Sequence, residues 1–285
     1  MFVNSLVYFC LMRFIKPIFD FYIDASIHVA LAVLSFFCIT CIWFNIPHVT
    51  NLDFVIFLGT IVMYNFMKYG SRAKKYIFVN VKYEKVIQLF SFITGLLLVV
   101  NLFCLSITSI LILAVMALLS LLYILPFTGK GVNLRSFSTM KIYVVALVWA
   151  VSTVILPFGS HWSLLTENVW ISLVQRFLMV TVLILPFEIR DMESDAASLI
   201  TIPRKIGVDG TKKLGYLMLG ILLMLELLKM QHIRNEVFAL LFFVVITALF
   251  LKYTKAKQSV YYTKFWVESI PVILWGFSEL LIRFF

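Results

Sequence analysis

The stretch 186–207 reads "PFEIRDMESDAASLITIPRKIG" and follows the apolar run "LMVTVLILPF" at 178–187. It sets Glu188, Asp191 and Asp195 at the end of that run, with Arg190, Arg204 and Lys205 close by. The chain around it has 285 residues, 62% of them hydrophobic and only 13% charged. An ordinary soluble domain carries about 25% charged residues. With a mean hydropathy of +1.03, the chain has more apolar surface than a soluble fold of this length can bury. Its apolar segments run to roughly 17–23 residues, the length an α-helix needs to cross a hydrocarbon core of about 30 Å. The alternating strands of a membrane barrel are absent, so helices must satisfy the backbone in lipid. The expectation is an all-α integral membrane protein.

Moving outward from the quoted stretch, nine spans emerge at 26–44, 54–69, 86–103, 105–126, 140–158, 168–188, 211–229, 235–252 and 264–284. The third and fourth are joined by almost nothing polar. No linker or low-complexity tract divides the chain, so 1–285 reads as a single membrane domain. Within it, 1–25 reads as an N-terminal interfacial segment. Its first residues, "MFVNSLVYFCLM", lack a basic leading region and a small-residue cleavage site, and Arg13 and Lys16 follow them. Counting span edges, 20 of the 24 Lys and Arg fall on one face: the N-terminus and the connections after spans two, four, six and eight. Lys229, Arg234 and Arg283 lie on the other, and Arg176 sits inside span six. The positive-inside bias makes the rich face cytoplasmic, with the N-terminus inside and the C-terminus outside. The net charge of +10 is thus accounted for by topology and anionic lipid, without nucleic acid. Cys10, Cys38, Cys41 and Cys104 all lie in apolar segments; Cys38 and Cys41 have metal-like spacing but no His or acid beside them, and read as core residues.

Span six ends at Glu188, and the offsets to Asp191 and Asp195 are three and four. All three carboxylates therefore project from one face if the helix continues. Like charges so placed repel, and the repulsion grows as water is excluded, so a cation should compensate them. Hard oxygen ligands at a membrane surface suit Mg²⁺, which takes a few carboxylates and fills its shell with phosphate oxygens and water. The plainer reading is a helix turning polar as it enters water. Against it stand the use of three of only 14 acids in this segment, the basic clusters Arg204–Lys205 and Lys212–Lys213, and the punctuation by Pro203 and Gly207.

This segment resembles the second acidic motif of the UbiA-type intramembrane prenyltransferases. The matching positions are Glu188, Asp191, Asp195, Thr201, Pro203 and Gly207, with Ile202 in place of Leu. The resemblance implies a bundle of nine helices around a central cavity, with Mg²⁺ held by Glu188, Asp191 and Asp195. It implies transfer of an isoprenyl group from a prenyl diphosphate to a hydrophobic acceptor, such as an aromatic quinone precursor or another lipid. Asp191 and Asp195 would then be the catalytic carboxylates. The family's first motif, expected at the end of span two, is degenerate. Asn65 stands at its Asn position, but Phe66, Tyr69 and Ala73 occupy the three Asp positions.

Asn65, Lys68 and Arg72 lie three and four apart on one helical face and are candidates to meet the diphosphate directly, Lys as a point charge and Arg as a fork. Tyr123, Lys130 and Arg135, in the loop after span four, are candidates by position. Arg176, Glu226, Glu268 and Glu279 are ionisable groups inside or near spans, where such residues are functional suspects. Two other readings remain open: a decayed site that binds lipid or a partner without chemistry, and a small-solute transporter. For the transporter the sequence offers no internal repeat or paired broken helices.

Overall fold

A computed structural model describes residues 15–70, 81–124, 140–193, 201–230 and 234–284. Among these residues there is no strand. The helices are α1 (Ile15–Asp24), α2 (Ile27–Trp43), α3 (Thr50–Tyr69), α4 (Lys82–Leu102) and α5 (Ile107–Ile124), then α6 (Met140–Ala150), α7 (Glu167–Asp191), α8 (Ile202–Glu226), α9 (Arg234–Tyr253) and α10 (Ile270–Phe284). Two of them carry π-helical turns: Val151–Ile155 continues α6, and Tyr262–Val267 precedes α10. All nine expected spans fall on helix, but nine membrane crossings are not reproduced. Among the described residues, six helical stretches are long and apolar enough to cross, or seven if α1 and α2, bent by 55°, count as one. The run on α5 is shorter, and α8 begins with a charged stretch that dilutes its apolar length.

Helices α2–α4 and α5–α10 each pack in sequence side by side, α3 touches α5, and α10 returns against α2, which closes the bundle. α2 is the most enclosed element: Phe36, Phe37 and Ile39 are fully buried. Its Ser35 and Thr40 hydroxyls fold back on the carbonyls of Leu31 and Phe36, which satisfies them within the apolar interior. α4 buries only Ile87 and Thr94 and turns the remainder outward, as a lipid-facing helix does. At the far end of α6, Gly159 allows the 3-10 turn Leu156–Ser160 to meet α5; a Cβ there would stand 2.2 Å from the Ser109 hydroxyl.

Two ion networks mark the two ends. At one end Lys229 bonds Glu226 at 2.9 Å and also Glu236, all three buried, with Trp43 beneath the ammonium. Arg176 is buried nearby and donates to the Phe36 carbonyl (2.6 Å), Thr153 (3.0 Å) and Thr40 (3.2 Å). It joins α2, α7 and the π-turn of α6. At the other end lie α1, the end of α3, the start of α6, the end of α7 and the approach to α10, tied by contacts such as Lys264–Asp24 (3.4 Å) and Tyr261–Asp20. Among the described residues, Lys68, Lys141, Arg190 and Lys264 gather at this basic-rich end; much of the connections expected to share a face lies outside the described residues.

Candidate functional site

Two connected cavities lie between the helices. The larger, about 330 Å³, sits between α3, α4, α5 and α6 and is walled by Val, Ile, Leu, Met and Ala side chains. Its size falls in the range of a small-molecule site. The smaller, about 250 Å³, lies towards the basic-rich end and carries Lys141, Glu188, Asp191 and Glu268 on its walls. Tyr64, Tyr123, Val145 and Trp149 line both cavities and form the neck between them. At that neck the Trp149 indole N–H donates to the Tyr64 hydroxyl at 2.8 Å. An apolar tunnel thus runs through an aromatic neck into a charged chamber.

The chamber's carboxylates come from α7. Pro186, inside the helix, removes one backbone donor, and Glu188 and Asp191 follow within the next turns. Glu188 is buried and accepts Lys141 Nζ at 2.6 Å. Asp191 is gripped at two points by the neighbouring Arg190, Nε to Oδ1 at 2.7 Å and Nη2 to Oδ2 at 2.9 Å. The same guanidinium bonds Thr263 and lies over the Phe187 ring. The compensating cations are therefore Lys141 of α6 and Arg190 itself, rather than the clusters that follow in sequence. Arg204 instead caps the end of α7, donating twice to the Met192 carbonyl (3.0 and 2.8 Å). Lys212 caps α9 at the Lys252 carbonyl (2.9 Å).

Asp195, Arg72, Lys130 and Arg135 lie outside the described residues. Tyr123 is buried and lines both cavities. Asn65 and Lys68 both reach the junction of α1 and α2. Asn65 donates to the Ala25 carbonyl (3.0 Å) and Ser91 (2.9 Å) and accepts from Ser26 (2.7 Å). Lys68 donates to Ser26 Oγ (2.9 Å) and reaches the Ile23 and Asp24 carbonyls (both 3.4 Å). Tyr69 adds a bond to the Asp24 carbonyl (3.2 Å). The degenerate motif thus serves the break between α1 and α2, where Ser26 takes φ 63° and the last carbonyls of α1 need donors. Asp20, which no sequence signal tied to a partner, accepts from Tyr261, and this bond pushes the Tyr261 pKa up.

The tail of the acidic segment has a clear local cause. Pro203 sits in the first turn of α8, where a missing N–H is harmless. Gly207 adopts φ 74°, ψ 172°, a conformation essentially closed to other residues, and splits α8 into a short lead and a long span.

Among the described residues, no three His, Cys, Asp or Glu side chains stand close enough to hold a metal together. Glu188 and Asp191 still suit Mg²⁺, which needs only one or two carboxylates when phosphate oxygens and water complete its shell. The Lys141 ammonium, 2.6 Å from Glu188, shows that the chamber accommodates a cation against this carboxylate.

No family model matches the chain, and no curated protein matches it in sequence. A solved structure of digeranylgeranylglyceryl phosphate synthase in membranes is similar over 93% of this chain and 96% of that one, with a TM-score of 0.50 and 15% identity. The chain therefore shares the fold of that synthase, an all-helical integral membrane bundle.

Proposed function

We propose that the protein is an intramembrane prenyltransferase, moving an isoprenyl group from a prenyl diphosphate to a hydrophobic acceptor, an aromatic quinone precursor or another lipid. One observation carries this reading: an apolar tunnel opens through an aromatic neck into a chamber that holds carboxylates and cations at the membrane's basic-rich end. A prenyl diphosphate has the matching form, with a long apolar tail, an allylic carbon at the junction and a charged head. The tail lies along α3–α6. The head sits in the chamber near Lys141 and Arg190, with Arg72, Lys130 and Arg135 as further contributors from the adjoining segments. Glu188 and Asp191, with Asp195, would hold Mg²⁺, which supplies neutralisation of the charge on the departing diphosphate. The tunnel wall and the neck exclude water, which would otherwise capture the allylic cation. Transfer at such a site needs the preorganised charge and the dry cavity together.

Purified protein with Mg²⁺ and geranylgeranyl diphosphate should release inorganic diphosphate in step with prenylated acceptor, and Asp191→Asn should reduce this at least tenfold. Full activity in that variant would remove Asp191 from the chemistry. The competing reading, lipid binding without turnover, draws on Asn65 and Lys68, whose donors serve the α1–α2 break instead of the chamber. It predicts saturable binding with no diphosphate release.

A further inference from the structure

Glu268 stands in the chamber without an assigned task. It lies between the π-turn Tyr262–Val267 and α10, on the wall formed with Val267 and Pro271, and shares the cavity with Glu188 and Asp191. Among the described residues it does not form with those two a set of three that could hold one metal ion. Its two rivals are engaged: Glu188 by Lys141, Asp191 by the Arg190 fork. The backbone N–H of Glu268 donates to the Thr263 carbonyl (3.3 Å), and among the described residues its carboxylate makes no hydrogen bond and no ion pair. The charged groups that face it are Lys68 from α3, Arg190 from α7 and Lys264 from its own segment, and the titratable Tyr22 and Tyr64 look towards it from α1 and α3.

The backbone on either side of Glu268 is fixed. Arg190 grips Thr263, and the Phe265 carbonyl meets both the Ser269 hydroxyl (2.7 Å) and His28 Nε2 (2.9 Å). His28 is held in turn by Tyr22 at 2.7 Å. A carboxylate on a rigid wall, with no cation in ion-pair contact and lining one chamber with the neck residues Tyr64 and Trp149, is placed to act on what enters opposite the diphosphate.

We propose that Glu268 is the proton acceptor of the transfer, receiving the hydrogen that the acceptor's hydroxyl loses. This rests on the prenyl-transfer reading above. The allylic C–O bond breaks and its electron pair leaves with the diphosphate. A lone pair of the acceptor oxygen forms the new bond to that carbon, and the hydroxyl proton passes to a Glu268 carboxylate oxygen. The carboxylic acid so formed returns its proton to water at the chamber mouth after the product leaves. A weakly paired carboxylate suits this step because a hydrogen-bonded or cation-bound one is a poorer base. The acceptor class that follows is a lipid with a free hydroxyl group; water is the same nucleophile in its simplest form.

The test uses the purified full-length protein, its Glu268→Gln and Glu268→Asp variants, Mg²⁺ and geranylgeranyl diphosphate. Geranylgeranylglyceryl phosphate serves as one nucleophile and water as the other. Binding of the diphosphate and release of product or prenol are measured separately. Glu268→Gln should bind the diphosphate within threefold of wild type and turn it over about 100-fold more slowly, the low end of what general base catalysis supplies. Glu268→Asp should recover part of the rate. Turnover by Glu268→Gln within threefold of wild type would overturn the assignment, and so would loss of diphosphate binding in that variant. Wild-type protein that binds the diphosphate yet forms neither product nor prenol would also refute it. Wild-type protein that binds no prenyl diphosphate would instead bring down the prenyl-transfer reading from which the assignment follows.

Discussion

At the residue scale, Glu188 and Gly207 show how little freedom the acidic segment has. Glu188 is buried with Lys141 as its cation, and a buried pair punishes removal of one partner far more than replacement of both. Lys141→Met should lower the unfolding free energy by about 3 kcal/mol, read from thermal or denaturant unfolding in detergent. The double variant Lys141→Met, Glu188→Gln should regain most of that stability while diphosphate binding stays lost. Equal stability of the single and double variants would mean that the pair contributes nothing. Gly207 offers a cleaner case. A Cβ there meets nothing within 4 Å, so any cost of Gly207→Ala is conformational, from φ 74° alone. That cost should be about 1–3 kcal/mol in the same unfolding assay. A neutral result would mean that α8 has no need of the break. The sequence placed Gly207 in a punctuated loop and Glu188 on a helix face, because both signals are local. It could not show that Lys141, 47 positions away in sequence, was the cation for Glu188. Lys141 read only as one more charge at a span edge.

At the scale of elements, the same limit explains the fate of the degenerate motif. Asn65, Lys68 and Tyr69 sit on one face of α3, as the helical period indicated, but the period does not say what that face meets. It meets the ends of α1 and α2, where a bend of 55° leaves carbonyls that need donors. The opposite end of the bundle has a comparable device in Lys229, which holds Glu226 at the end of α8 and Glu236 at the start of α9. The spacing of Glu226 and Lys229 hinted at a pair; the third member was not legible. Lys229→Met would leave two carboxylates in a buried site and should destabilise the protein by about 3–5 kcal/mol, without changing diphosphate affinity in the surviving folded fraction. A change in affinity larger than the loss of folded protein explains would show that the two ends of the bundle are coupled.

At the scale of the whole molecule, length and hydropathy were enough for the class, a helical membrane bundle. They were not enough for the interior. Nearly every span is apolar on all sides, so no hydrophobic stripe says which faces enclose space and which face lipid. The tunnel, its aromatic neck and the wall that carries Glu268 arise from how α3–α6 and α10 meet, and that information is not local. If the tunnel holds the tail, Ala117→Phe should fill it and weaken binding of geranylgeranyl diphosphate by tenfold or more, while geranyl diphosphate is affected less. Uniform weakening across chain lengths would count against tail binding there. The most direct measurement is photo-crosslinking with a prenyl diphosphate bearing a photoreactive group at the tail end, followed by peptide mapping. The label should fall on tunnel residues such as Met63, Met116 and Val148, and excess unlabelled diphosphate should suppress it. Labelling confined to the outward faces of α4 and α10, or labelling that the unlabelled diphosphate does not displace, would contradict the account.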